Sequence, residues 1–203
     1  MHIAIVLFDG FDNLDAIGPF EVFSHARTYG ADLEVGLHTL SPQEIVRSSH
    51  DLRVEPDGVL PTAEADAAPD LVVVPGGGWS DRAEPGAWTE ARRGDLPDAI
   101  NQLHSNGAVI AAVCTGGMIV ATAGLAGGRP AVTHHGALDD LRKAGAEVID
   151  ARVVDDGDLV TAGGVTSGID LALHLVDREF GTDVARRVSK EMEYEPHGEV
   201  YVS

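Results

Sequence analysis

The chain has 203 residues, of which 44% are hydrophobic and 23% are charged, a composition that excludes a disordered or fibrous protein. Its 33 Asp and Glu outnumber its 14 Lys and Arg, and the formal net charge of −19 argues against a nucleic-acid partner because phosphates would be repelled. The single cysteine excludes a disulfide framework and a multi-cysteine metal site.

Along the chain, short apolar runs alternate with segments that carry apolar residues at helical spacing. The predicted strands are His2–Phe8, Leu33–Leu40, Leu71–Pro75, Val109–Val113, Ala131–Thr133, Glu147–Val154 and Asp158–Ala162, with a hairpin or extended excursion at Ile45–Glu55. The predicted helices are Pro19–Tyr29, Pro85–Asn106 with a break near Gly94–Pro97, Gly116–Ala123, Ala137–Ala144, Ser167–Phe180 and Asp183–Glu193. This alternation predicts an α/β fold with a mostly parallel sheet that is covered on both faces.

The apolar runs and the charge pattern also indicate where the protein works. No apolar run approaches the roughly 20 residues that a membrane-spanning helix needs, so no membrane partner is expected. The N-terminus shows no basic region and no small-residue cleavage site, so we expect a cytoplasmic protein without a signal peptide. The acidic residues are dispersed and only Lys143 and Lys190 are lysines, which is typical of a halophilic protein whose self-repulsion is screened by salt. The alternative is an acidic protein of a mesophile.

In parallel sheets ligands bind beyond the carboxyl ends of the strands. The segments in that position are Asp9–Gly18, Gly76–Ser80, Cys114–Gly117, Thr133–Gly136 and Gly163–Gly168. Within them Cys114 lies between an apolar strand and a helix, as in a nucleophile elbow, and the N-terminus of that helix would favour the thiolate. The alternative is that a lone cysteine beside an apolar strand is a small buried hydrophobic residue.

Two further segments offer groups that would assist a thiol. The amides of Gly77 and Gly78, together with the Thr115 amide, would form an oxyanion site. A phosphate loop is excluded because neither GxGxxG nor a Walker lysine is present. Asp15 would exchange a proton with the thiol as general acid and base. The alternative for Asp15 is an N-cap that opens the first helix.

His134 and His135 follow another predicted strand end, and either ring could orient or deprotonate the thiol. Adjacent side chains in an extended segment point in opposite directions, so at most one of them faces the site. The alternative for each is a surface histidine or a hydrogen-bonded core histidine. The nine histidines show no HExxH or comparable ligand spacing, so neither a metal nor another cofactor is expected.

Four motifs, in order, carry a resemblance to a known family: LDAIGPFEVF, LVVVPGGG, AVCTGGMIVATAGLAGGRPAVTHH and LVTAGGVTSGID. Over about residues 2–195 the chain resembles the ThiJ/PfpI superfamily. The resemblance implies a class I glutamine amidotransferase-like fold, a flavodoxin-like three-layer sandwich with a nucleophile elbow, as a single domain over residues 1–203. The Cys-Thr-Gly and Asp-x-x-Gly-Pro patterns resemble the isocyanide hydratase subgroup. They also occur in AraC-type regulators, whose DNA-binding half is not expected because the sequence ends before it.

The resemblance implies roles for individual residues. Cys114 matches the nucleophile, Asp15 its acidic partner, His134 the family histidine and Gly77 the oxyanion turn, while Thr115 is implicated because it follows the nucleophile. Thr115 stands where the protease-like branch has histidine, so protease activity is not expected. The implied protein is a homodimeric lyase that hydrates an isocyanide, a small electrophile. The alternatives are glyoxalase or deglycase action on 2-oxoaldehydes and a non-enzymatic cysteine redox sensor or ligand-binding module.

Overall fold

A computed structural model describes residues 1–65 and 67–203. The strands are β1 His2–Val6, β2 Glu34–Thr39, β3 Val46–Arg47, β4 Arg53–Val54, β5 Gly58–Val59, β6 Leu71–Val74, β7 Val109–Val113, β8 Pro130–Ala131, β9 Glu147–Val148, β10 Val153–Asp155, β11 Leu159–Ala162 and β12 Val200–Val202. The helices are α1 Asn13–Thr28, α2 Ala87–Arg93, α3 Asp95–Ser105, α4 Gly116–Thr122, α5 Leu138–Lys143, α6 Ser167–Phe180 and α7 Thr182–Glu191. Within these residues no helix is both long enough and apolar enough to cross a membrane.

The centre of the molecule is an eight-stranded sheet in the order β12-β10-β11-β7-β6-β1-β2-β5. Its strands pair in parallel except for β10 with β11, so the predicted α/β fold with a mostly parallel sheet is confirmed. Strand β6 is buried along its whole length, as expected for a strand with helices on both faces. Helix α1 packs against α6 and α7, and α2 packs against α3 and α4.

The first helix begins earlier than predicted. Asp12 is its N-cap, and Asp12 Oδ1 accepts a hydrogen bond from the Leu14 N–H at 3.2 Å. Helix α1 therefore passes through Pro19, where the sequence pattern had placed its start. Asp15 consequently lies in the first turn of the helix and does not cap it.

Several other segments compare directly with the sequence predictions. Residues 45–55 form a hairpin of β3 and β4, and Gly94 separates α2 from α3, both as predicted. The single predicted strand Glu147–Val154 is wrong, because β9 pairs with β8 in a small separate sheet while β10 joins the main sheet. The edge strands β5 and β12 were not predicted, since two or three residues are too few to show a strand periodicity.

Candidate active site

The carboxyl ends of the central strands surround a cavity of 810 Å³. All five predicted strand-end segments contribute to its lining: Asp9, Gly10, Asp12, Gly77, Gly78, Trp79, Ser80, Cys114, Thr115, His134 and Val165. Residues 47–51, at the tip of the β3–β4 hairpin, form another part of the wall and were not predicted. Loops that are far apart in the sequence therefore meet around one space that a small molecule can enter.

Cys114 stands at the sharp turn between β7 and α4. Its φ of +56° lies in a region that residues other than glycine rarely adopt. Two hydrogen bonds hold this conformation: the Cys114 N–H donates to the Gly163 carbonyl at 2.8 Å, and Thr133 Oγ1 donates to the Cys114 carbonyl at 2.7 Å. Cys114 is only 6% exposed, yet it lines the cavity. The turn therefore has the geometry of a nucleophile elbow.

The surroundings of the thiol raise its pKa, although the helix N-terminus was expected to lower it. Burial and then the charge of Asp15 raise the pKa of Cys114 to about 12, while the backbone amides of Val165 and Thr115 donate to the sulfur and oppose the rise. Helix α4 has only 7 residues, so its dipole is a weak counterweight to desolvation. The resting cysteine is therefore a thiol whose activation requires proton transfer.

Asp15 is the acidic group next to this thiol. Its side chain is fully buried, Oδ2 accepts a hydrogen bond from the Gly76 N–H at 2.9 Å, and Oδ1 makes no hydrogen bond of standard distance and angle. Burial and then the charge of Asp12 raise the pKa of Asp15 to about 8, whereas the Gly76 amide and the Cys114 thiol, which lies near the carboxyl, act in the opposite direction. Asp15 thus keeps its proton at neutral pH and can donate it.

The glycine turn after β6 contributes less to an oxyanion site than its sequence suggests. The Gly76 N–H is bonded to Asp15, and the Gly77 N–H donates to Thr115 Oγ1 at 2.9 Å. Within the described part of the chain, the Gly78 N–H donates to no protein acceptor. The Thr115 hydroxyl oxygen accepts the bond from Gly77, so the hydroxyl hydrogen of Thr115 can be donated to a group in the cavity. Of the predicted donors the Gly78 amide is therefore free, and the Thr115 hydroxyl is a further donor that was not predicted.

Glycines are needed here because two loops pack backbone against backbone. A Cβ on Gly116 would overlap the Val74 carbonyl oxygen and lie 2.9 Å from the Pro75 carbonyl, and a Cβ on Gly76 would overlap the Thr115 amide. Hydrogen on the α-carbon is the only substituent that this approach accommodates. The glycines around Cys114 thus position the elbow.

We expect Gly116→Ala to destabilise the fold by about 1–3 kcal/mol, which lowers Tm by several degrees, because the added methyl must displace β6 backbone. The matched control is Gly127→Ala, since a Cβ at Gly127 meets no atom within 4 Å. Thermal unfolding followed by circular dichroism measures both variants. Equal Tm values for the two variants would contradict this account of the elbow.

His134 and not His135 borders the cavity that contains Cys114. His135 lines a separate cavity, and the two ring centroids are 4.1 Å apart. His134 Nδ1 accepts a hydrogen bond from the Gly136 N–H at 3.1 Å, so the neutral ring carries its proton on Nε2. Burial and then His135 lower the pKa of His134, while Asp12 opposes this. Among the described residues no hydrogen bond joins His134 to Cys114, so the ring faces the cavity without pairing with the thiol.

Sequence reasoning did not single out three residues that shape the site. Thr133 fixes the elbow, Val165 directs its amide to the sulfur, and Asp12 adds a negative charge near Asp15. Only Asp12 carried a recognisable signal, that of an N-cap before an apolar helix. In residues 1–65 and 67–203 no three His, Cys, Asp or Glu side chains come together as ligands for a metal ion.

Comparison with known proteins adds an independent line of information. Residues 1–178 match the family described as DJ-1/PfpI family. Isonitrile hydratase of Pseudomonas putida is 34% identical over 198 residues, which cover 97% of this chain and 79% of that protein. The Parkinson disease protein 7 homolog of Danio rerio is 26% identical, with 91% and 92% of the two chains covered. The crystal structure of a ThiJ/PfpI family protein from Pseudomonas syringae superposes with a TM-score of 0.83 at 26% identity and covers 97% of this chain and 76% of that one.

Proposed function

The chain belongs to the DJ-1/PfpI family, and from this premise we propose that it is a cysteine-dependent lyase that adds water to an isocyanide. The observation that carries the proposal is the fully buried Asp15, with its pKa raised to about 8, beside the elbow thiol of Cys114. A carboxyl that keeps its proton at neutral pH is suited to general acid catalysis. The similarity to isonitrile hydratase supports the same reaction.

The first step joins the sulfur to the substrate. Cys114 Sγ attacks the terminal carbon of R–N≡C while Asp15 delivers its proton to that carbon, and Asp15 is reprotonated by the thiol proton. The product is a thioimidate, R–N=CH–S–Cys114, in which one C–S and one C–H bond have formed and the S–H bond has broken. The Thr115 and Val165 amides, which donate to the sulfur, stabilise negative charge on it before the C–S bond is complete.

The second step releases the product. Water adds to the thioimidate carbon, one of its protons passes to the nitrogen through Asp15, and the C–S bond breaks to give R–NH–CHO. The remaining proton returns to the sulfur, so enzyme and carboxyl end as they began. The free donors of Thr115 and Gly78 face the cavity in which charge develops, and His134 is available to hydrogen-bond the water.

The test is to incubate the protein with an alkyl isocyanide and to follow the N-substituted formamide by absorbance and mass spectrometry. Because the net charge is −19, the assay is run in both low and molar KCl, and we propose that salt favours the folded enzyme. Methylglyoxal is offered in parallel. Formation of lactate without formamide would indicate that the same Cys–Asp pair acts on 2-oxoaldehydes. If neither substrate is turned over, both enzymatic functions are contradicted.

The pH dependence of kcat/KM follows from the raised pKa values. At neutral pH the Cys114–Asp15 pair holds both protons that the first step uses, and the general acid is lost as Asp15 gives up its proton near the value of about 8. We therefore expect kcat/KM to fall as pH rises through this value. A profile measured at constant ionic strength that stays flat from about pH 6 to pH 9 would contradict the coupling.

We also propose that residues 1–203 form one domain that works as a cytoplasmic homodimer. The main sheet takes strands from both ends of the chain, β1 and β12, which supports a single folding unit. The dimer rests on the family resemblance. Light scattering in low and molar KCl measures the mass, and a monomer under both conditions would exclude the dimer.

A further inference from the structure

Asp12 lies three residues before Asp15 and is held in a fixed conformation. It caps α1 through its side chain, its N–H donates to the Gly76 carbonyl at 2.8 Å, and it lines the same cavity as Cys114. A Cβ on Gly77 would lie 2.7 Å from the Asp12 nitrogen, so the glycine turn presses against this residue. The position of the Asp12 carboxylate relative to Asp15 is therefore set by the backbone of two loops.

The charge of Asp12 acts on every titratable group of the proposed site. It raises the pKa of Asp15, of Cys114 and of His134. The other segments that contact Asp15 and the sulfur present backbone amides, those of Gly76, Thr115 and Val165. Other charged or titratable groups in the cavity wall lie on the hairpin tip, at Arg47, His50 and Asp51, and at Asp9 and Asp81. Outside the Asp15–Cys114 pair, the charge that shifts the pKa of Asp15 and of Cys114 most is that of Asp12.

We propose that Asp12 is a positioning residue whose negative charge keeps the transferable proton on the Asp15–Cys114 pair. The inference rests on the proposed role of that pair. A negative charge close to a carboxyl disfavours a second negative charge on that carboxyl, so the Asp12 carboxylate favours the protonated form of Asp15. The Asp12 carboxylate is held at the positive end of the helix, because as the N-cap it accepts the Leu14 N–H.

The test uses Asp12→Asn, because asparagine caps a helix as well as aspartate but carries no charge. Iodoacetamide, a neutral reagent, alkylates the single cysteine, and mass spectrometry gives the rate as a function of pH. We expect the midpoint of the rate profile to move to lower pH by about half a unit or more, since removal of the Asp12 charge removes a cause that raises the pKa of both Asp15 and Cys114. A purely structural cap would leave the midpoint unchanged.

The matched control is Asp9→Asn. Asp9 also lines the cavity, and its carboxylate accepts the Arg47 N–H at 2.8 Å, a bond that an asparagine oxygen can also accept. Its charge affects the pKa of Asp15 and of Cys114 less than that of Asp12 does, so the midpoint should stay close to the wild-type value. Equal midpoints in the wild type and Asp12→Asn would overturn the proposal, as would equal shifts in the two variants.

The alkylation readout is independent of isocyanide turnover. A shifted midpoint in a protein that forms no formamide would support the role of Asp12 in proton retention and refute the hydratase. Formamide production with an unshifted midpoint would support the hydratase and refute the role of Asp12. If Asp12→Asn does not fold, Asp12→Ser supplies another neutral N-cap, and the same midpoint shift is expected.

Discussion

Replacement of Cys114 by alanine is expected to lower kcat/KM for formamide production by at least about 10³-fold, because no other group can form the thioimidate. Cys114 is the only cysteine and it lines the cavity, so no neighbouring thiol can substitute for it. The measurement is the initial rate of formamide formation, with protein concentration matched by absorbance and folding checked by circular dichroism.

Cys114→Ser is the matched control for this result. Serine is close to cysteine in size and keeps the backbone of the elbow. Its hydroxyl, however, gives up its proton far less readily than a thiol does, so attack on the isocyanide is disfavoured. We expect the serine variant to be as inactive as the alanine variant while its Tm stays close to that of the wild type. Formamide turnover that is unchanged in Cys114→Ala would refute the covalent mechanism.

Replacement of Asp15 by asparagine is expected to have two opposite effects. Catalysis should fall by about 10²–10⁴-fold because the general acid is lost. The free energy of unfolding should rise, because the wild-type protein must keep a proton on a buried carboxyl or bury its charge. A gain in stability together with a loss of activity is the result expected if the buried Asp15 carboxyl is the proton donor of the proposed reaction.

The sign of the stability effect follows from linkage. The folded-state pKa of Asp15 is raised from 3.8 to about 8, so between these values the folded state binds the extra proton and stability falls as pH rises. The Tm advantage of Asp15→Asn should therefore widen from about pH 6 to pH 8 by several degrees and level off above that. A Tm difference that stays constant or narrows over this range would show that Asp15 is not buried with a raised pKa.

Asp155→Asn provides a contrast of opposite sign. Burial alone would raise the pKa of Asp155, but a hydrogen bond from His174 at 2.7 Å, the Gly157 amide and the charge of Arg178 lower it below the ordinary value. A carboxyl whose pKa is lowered by folding stabilises the folded state at pH values above its pKa in the unfolded chain. This stabilisation is lost as the pH falls through its pKa in the folded state. We expect Asp155→Asn to lower Tm at neutral pH by about 5 °C or more, because the partly buried Arg178 guanidinium loses the carboxylate that it pairs with.

The amino-acid sequence alone determined the fold class and the position of the single cysteine at the turn after β7. The apolar run Val109–Val113 followed by Cys-Thr-Gly-Gly indicated a buried strand, a sharp turn and a helix, and the structure places Cys114 at such a turn. These features depend on residues that are adjacent in the chain. The same local rules could not separate the N-cap role of Asp12 from the buried position of Asp15, since both are carboxylates in one loop.

Only the tertiary structure decided the chemistry of the groups around the thiol. The Gly76 amide that holds Asp15 comes from 61 residues away, and the Gly77 amide reaches Thr115 across 38 residues. These contacts occupy the amides of two glycines. The burial that accompanies them raises the pKa of Asp15 and of Cys114, whereas the N-terminus of the local helix predicted a lowered pKa for the thiol. The physical reason is that desolvation depends on every loop packed around a group, so no motif specifies it.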